Sequence, residues 1–398
     1  MPRGGLLSGR GARALDLVNF FVADVQTGFG PFVAVYLTVN KWPQEEIGLA
    51  LSLGTITALV SQIPAGMLVD ASPNKRLAAA GGLICVLIAA LLLAVWPAQL
   101  PVVVAQVLHS VGSVIITPAI AAVTLHLVGY RGLSERLGRN ARFAAVGNGL
   151  AAGVMGASGL YLSSRAVFWL TAALCVPALG ALAAIGRGAH SRHQTTVQPL
   201  DREGLRKLIC NRKLLAFGAC VAMFHLSNAA MLPLAGAAVT MRAGNLANVI
   251  IAACIVVPQA VVAWSSPWVG RKAAEIGRRP VLLLGWAALP LRGLLLAVLP
   301  GPYLLIAGQA ISGISAAVFG VMLPLLAADL TRGTSHFNLC MGVLGLAMGI
   351  GAATSTALAG WIADVAGLNA AFFSLALAGL AGVALLWATM PETASEPA

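Results

Sequence analysis

Asp24 lies nine residues into an apolar stretch running from about 15 to 37. If that stretch crosses a bilayer as a helix, a rise of 1.5 Å per residue puts the carboxyl roughly 13 Å deep, near the middle of a hydrocarbon layer about 30 Å thick. A carboxylate there costs about 2.5–3.5 kcal/mol on insertion scales, so it normally faces a wet cavity or a partner. Such an acid can take up and release a proton or touch a ligand; the alternative is a structural carboxylate paired with a neighbouring helix. Arg292, in Leu289-Pro290-Leu291-Arg292-Gly293, is a basic residue well inside an apolar stretch. It either bonds carbonyls and polar side chains nearby or anchors an anionic ligand or a distant acid, and the adjacent glycine and proline would loosen its helix and give it room.

The neutral groups follow the same logic. His109 can accept a proton, since imidazole ordinarily titrates near 6.5, or it can be a hydrogen-bonding core residue. Gln26 precedes Pro31 by the interval at which Asn228 precedes Pro233, and Gln106 and Gln309 form a second related pair. Amides supply both donors and acceptors to a polar ligand, but they also stitch membrane helices together. His225 stands one turn from Asn228. Asp16, nearer the end of its stretch, reads as an interfacial cap.

These side chains need elements to hold them. The 398 residues are 59% hydrophobic and 10% charged, with a mean hydropathy of +0.88. Soluble proteins carry about 25% charged residues, so the chain belongs in lipid. Apolar windows fall near 15–37, 46–69, 77–95, 100–123, 142–163 and 166–185, and again near 214–239, 246–269, 281–299, 302–327, 338–361 and 368–389. Each suits a helix of about 20 residues. The division predicts a first six-helix bundle over 1–186, a polar linker over 187–212 and a second bundle over 213–398.

The net charge of +12 would suggest a nucleic-acid partner in a soluble chain. Here it alternates from loop to loop. Arg3, Arg10 and Arg13, then Lys75 and Arg76, Arg131 to Arg142, Arg187 to Lys213, Arg271 to Arg279 and Arg332 fall on one side; Lys41, Arg165 and Arg242 fall on the other. The positive-inside rule then puts both termini in the cytoplasm, as expected of a multi-pass protein of the cell inner membrane, with lipid and not nucleic acid as its surroundings. The first stretch lacks a cleavage site and reads as a retained helix. The six cysteines show no metal or CxxC spacing.

Between the second and third windows lies Gly66-Met-Leu-Val-Asp70-Ala-Ser-Pro-Asn-Lys75-Arg76. The glycine permits close helix approach, the aspartate can cap a helix end, and the basic pair anchors a cytoplasmic loop. A degenerate copy, Gly270-Arg-Lys-Ala-Ala-Glu275-Ile-Gly277-Arg278-Arg279, follows the eighth window with Ala274 in the place of the aspartate. With the six-plus-six layout, these motifs make the chain resemble a bacterial-type transporter of the major facilitator superfamily along nearly its whole length.

The resemblance implies an all-α integral membrane protein of 12 transmembrane helices in two pseudo-symmetric six-helix bundles. It also implies a central path lined by helices 1, 4, 7 and 10, and a gating loop comprising Gly66, Asp70, Lys75 and Arg76. Two departures qualify the exporter pattern: Gln106 occupies the place of a helix-four arginine, and Val154 that of a helix-five proline. There is no P-loop, HExxH or GxSxG, so no enzyme activity and no cofactor are expected, and energy must come from a proton gradient or from the solute's own.

The expectation is a monomeric secondary transporter exporting a small organic solute against protons. Asp24 and His109 would carry coupling, and Gln26, Gln106, His225, Asn228, Arg292 and Gln309 would bind the solute. Uptake by proton symport, or uniport of a polar or anionic metabolite, is the runner-up. A non-transporting membrane sensor or an intramembrane enzyme is the reading from another class.

Overall fold

The computed structural model describes residues 9–27, 29, 31–185, 206, 210–235, 247–298, 302–334 and 336–393, and these are almost wholly α-helical. Most of the expected linker over 187–212 lies outside the described residues. In chain order the helices are α1 (Gly9–Thr27), α2 (Pro31–Val39), α3 (Gln44–Ala71), α4 (Lys75–Val95), α5 (Gln99–Tyr161) and α6 (Ser164–Ala184). They continue as α7 (Arg212–Asn228), α8 (Ala247–Glu275), α9 (Arg278–Val298), α10 (Pro302–Leu330), α11 (Phe337–Ala366) and α12 (Leu368–Thr389). Ten described helices are long and apolar enough to cross a membrane. One of them, α5, covers 63 residues as two helices that meet at Gly129, and serves for two crossings; α1 and α2 together supply another. The chain is thus a twelve-span all-α membrane protein.

Two windows differ from expectation. The first is not one helix: α1 stops at Thr27 and α2 begins at Pro31, a residue suited to the first helical position because it lacks an N–H to donate. The loop expected between windows four and five shrinks to a sharp kink at Gly129, with helix on both sides of it. Gly129 stands at φ 66° and ψ 178°, a conformation that glycine adopts without a Cβ clash. The arginines over 131–142 therefore project from a helix and not from a loop.

By internal packing the chain forms two units: Met1–Leu200 with Gly333–Gly342, and Asp201–Arg332 with Val343–Ala398. In the first, α5 packs on α1, α3 and α4, and α6 on α1 and α4. Its core includes Leu15, Val18, Leu83, Leu93, Ile116 and Phe168. Gly82 of α4 and Gly112 of α5 let those helices cross closely: a Cβ at Gly82 would lie 2.8 Å from the Gly112 carbonyl oxygen, and one at Gly112 2.6 Å from that of Gly82. Tyr36 in α2 donates to the Leu93 carbonyl at 2.5 Å.

In the second unit α9 packs on α10 and α12, α8 on α10, and α7 on α12. Large apolar side chains such as Trp264, Leu100 and Val60 face outward at 83%, 74% and 69% exposure. Water would penalise such a surface and lipid accepts it.

Candidate functional site

Asp24 is in the last turn and a half of α1, close to where that helix breaks, and is 4% exposed. Its Oδ1 has no hydrogen-bond partner. Gly147 of α5 packs against this turn, for a Cβ there would meet the Phe20 carbonyl oxygen and lie 3.0 Å from Asp24 Oδ1. An unsatisfied buried polar group costs about 1–3 kcal/mol, more when charged.

Asp16, two turns earlier, shows the contrast. It is buried, and Arg136 Nη2 donates to its Oδ1 at 2.6 Å. Arg139 grips both oxygens, Nε reaching Oδ1 at 2.9 Å and Oδ2 at 3.1 Å and Nη2 reaching Oδ2 at 2.6 Å. Arg136 Nε donates on to Asn140 Oδ1 at 2.8 Å, and Asn140 Nδ2 to Thr124 Oγ1 at 2.9 Å. The spacing of Arg136, Arg139 and Asn140 is that of one helix face, a signal hidden by reading the segment as a loop.

His109 stacks on Phe29, with ring centroids 3.7 Å apart and planes 13° from parallel. Its Nε2 lies 3.2 Å from Ser113 Oγ. Phe29 falls between α1 and α2, so the imidazole is tied to the helix break that follows Asp24 by three residues. Gln26 is half-buried on the same turn as Asp24. Gln106 is engaged elsewhere: its Nε2 donates to the Ala50 carbonyl of α3 at 3.5 Å, and Ser110 Oγ donates to the Gly54 carbonyl at 2.8 Å.

In the second unit α7 ends at Asn228, and after a turn the chain is helical again over 231–235. Gln26 and Asn228 thus occupy the same place, in the last turn of a first helix that breaks ahead of a proline. Arg292 Nη1 donates to Asn228 Oδ1 at 2.7 Å, bringing together two of the expected binding residues. Glycine and proline do not loosen α9 there. A Cβ at Gly293 would lie 2.9 Å from that of Ala376, and Pro290 Cδ would lie 3.0 Å from a Cβ at Gly379, so both serve close packing of α9 on α12.

Gln309 is 2% exposed and its Nε2 has no partner. His225 lies edge-on to Phe319 at 5.0 Å, and its Nε2 is likewise unpartnered.

The loop residues cluster at one end of the first unit. Asn338 N–H and Nδ2 donate to Asp70 Oδ1 at 3.0 and 2.6 Å, and Leu339 N–H donates to Oδ2 at 2.7 Å. Asp70 therefore caps the first turn of α11, where free N–H groups and the helix dipole favour a negative charge. Gly66 permits the approach, since a Cβ there would meet the Asn338 carbonyl oxygen. Lys75 Nζ donates to the carbonyls of Val69, Asp70 and Ser72 at 2.7, 2.8 and 2.9 Å, and Arg76 N–H donates to Asn74 Oδ1 at 3.1 Å, closing the loop on itself. Asn338 was not foreseen, because 268 residues separate it from Asp70.

The degenerate second loop is held differently. Glu392 accepts from the N–H groups of Arg278 and Arg279 at 2.8 and 3.0 Å, and Arg278 Nε donates to Asp329 Oδ2 at 3.1 Å.

Comparison with known proteins agrees with this architecture. The Major Facilitator Superfamily model matches residues 15–262 and 237–398. The chain belongs to the Major Facilitator Superfamily. It is 39% identical over 396 residues, 96% of this chain and 94% of the other, to uncharacterised MFS-type transporters of Mycobacterium tuberculosis strains CDC 1551 and H37Rv. A shorter similarity, 32% over 112 residues and 28% of this chain against 27% of the other, is to the class B tetracycline resistance protein of Escherichia coli. Among solved structures, the human organic anion transporter MFSD10 shares the fold at 14% identity with a TM-score of 0.72, over 95% of this chain and 99% of that one. Membership of this superfamily makes the protein a multi-pass membrane transporter and not an enzyme.

Proposed function

We propose that this transporter exports a small organic solute in exchange for protons by alternating access, with Asp24 as the group that carries the proton. The observation behind this reading is that a fully enclosed carboxyl with an unpartnered oxygen stands beside a helix break. Irregular backbone within membrane depth is tolerated where it is enclosed by protein or lines a cavity, and discontinuous helices commonly mark transporter binding sites. The breaks after α1 and α7 fall at related places, and each carries an amide, Gln26 or Asn228. His109, tied to the first break through Phe29, is the second proton acceptor. Solute contacts fall to Gln26, His225, Asn228, Arg292 and Gln309, while Gln106 holds α5 to α3.

The loop around Asp70 gates the cycle, because its hold on the first turn of α11 consists of hydrogen bonds that can be made and broken as a unit. Both chain ends lie in the cytoplasm of a cell whose inner membrane holds the protein as a monomer. Export is supported by the stretch of similarity to a tetracycline resistance protein.

The test uses proteoliposomes with an imposed pH gradient and tetracycline as the first candidate solute, with a panel of small organic acids and amines beside it. Gradient-dependent movement by the parent and its loss in Asp24→Asn are expected. Equal gradient-driven movement by both would remove Asp24 from coupling, and inward movement with protons would make the protein a symporter.

A further inference from the structure

Arg292 is 1% exposed, and helices of the second unit close on it from several sides. Asn228 of α7 takes Nη1 at 2.7 Å. A Cβ at Gly308 of α10 would lie 3.7 Å from the Arg292 Cγ. One turn along α9, Leu296 joins Cys254, Met231, Leu305 and Phe372 in an apolar cluster. Within this low-dielectric wall Nε and Nη2 have no hydrogen-bond partner.

Carboxylates of the same unit are committed elsewhere among the described residues: Asp329 to Arg278, Glu275 to Lys272, and Glu392 to the backbone of Arg278 and Arg279. Asp364 is exposed. Removing a cation from water without a paired anion is strongly unfavourable.

The two unpartnered donors share an edge. Nε–H and Nη–H on one side of a guanidinium point in parallel and match the two oxygens of a carboxylate. The first unit shows the match directly, since Arg139 presents its Nε and Nη2 to both oxygens of Asp16. Asn228 fixes the opposite edge of Arg292 and so orients this one. Asn228 also ends α7, where a two-residue turn precedes the helical stretch over 231–235.

We infer that the Nε–Nη2 edge of Arg292 is the receptor for a carboxylate carried by a ligand, so that the solute class is an organic acid. The inference rests on the transport reading for its physiological meaning, but binding can be measured without transport. A free small acid and a transported organic acid share this chemistry, and they differ in whether the body of the molecule adds affinity.

The test is the thermal stability of the full-length protein in detergent, with sodium chloride exchanged for sodium acetate or sodium benzoate at constant ionic strength, and with acetamide and benzamide as uncharged controls. A ligand that binds the folded state raises apparent stability by mass action. Stabilisation by the carboxylates over chloride and over the amides is expected. Benzoate acting at lower concentration than acetate identifies an organic-acid solute, and equal action identifies a free small acid.

Arg292→Lys keeps the charge and removes the fork, and should weaken carboxylate binding by about tenfold or more, the equivalent of one charge-assisted hydrogen bond. Equal shifts in chloride and carboxylate, or a Lys variant that binds carboxylate as well as the parent, would overturn the assignment. Repeating the measurement in Asp24→Asn separates the two readings, since carboxylate binding should persist there even if the proton assignment fails.

Discussion

The first bundle holds an enclosed acid with an unpartnered oxygen and has committed its buried amide; the second holds an enclosed guanidinium and an amide, each with unpartnered donors. Gln106 spends its Nε2 on the carbonyl of Ala50, whereas Nε2 of the related Gln309 has no partner. Asp24 and Arg292 are 4% and 1% exposed. Two copies of one architecture have thus diverged in what their interiors can bind. On the proposed reading, one takes a proton and the other an anion.

Asp16 and Asp24 occupy one helix, and Asp16 is gripped by two arginines while Asp24 keeps an oxygen unpartnered. Both acids are buried, and the partners set them apart.

The largest effect should separate these two acids. Asp24→Asn is expected to abolish proton-driven transport while leaving thermal stability equal or higher, as measured by vesicle flux and by melting of the purified protein. Asp16→Asn should do the reverse at the level of folding. It leaves Arg136 enclosed without its charge partner and should lower stability by about 3–5 kcal/mol, read from unfolding of the purified protein. If Asp16→Asn melts like the parent, the distinction between paired and unpaired acid is lost.

The loops offer the next contrast. Asp70 caps α11 from afar, while α9, which follows the degenerate loop, takes its cap from Glu392. Removing a cap costs about 0.5–2 kcal/mol, so Asp70→Ala and Glu392→Ala should destabilise similarly. Only Asp70→Ala should slow turnover, since it is the proposed gate. Equal turnover in both variants would remove the gating role.

The smallest effect concerns the amides. Gln106→Leu should cost about 0.5–1.5 kcal/mol for the lost hydrogen bond with transport retained. Gln309→Leu should cost no stability, because it deletes an unsatisfied donor, and should impair solute binding. Reversed behaviour would mean that the first bundle, not the second, supplies the ligand amide.

Much of this was legible in the residues. Continuous apolar runs bounded by charge mark the spans, because a helix in lipid must bond its own backbone and be apolar for about 20 residues. The acid, the arginine and the amides announce themselves as costly exceptions. The break after Thr27 was written in Gly28, Gly30 and Pro31, but the apolar run through them masks it.

The helical state of 131–142 was not legible, because its arginines suggest a solvated loop until Asp16 is known to face them. The contact of Asp70 with Asn338 could not be read either. It depends on where chain separated by more than half the sequence returns, and local pattern carries no such information. Nor does sequence show which amide is spent on a backbone carbonyl, since Gln106 and Gln309 look alike in it.

Asp24 is proposed to exchange a proton, and infrared difference spectroscopy of the purified protein across a pH series reads that directly, with no solute required. A carboxyl band that appears and disappears with pH in the parent and is missing from Asp24→Asn is the predicted result. Superimposable difference spectra from parent and variant would contradict it.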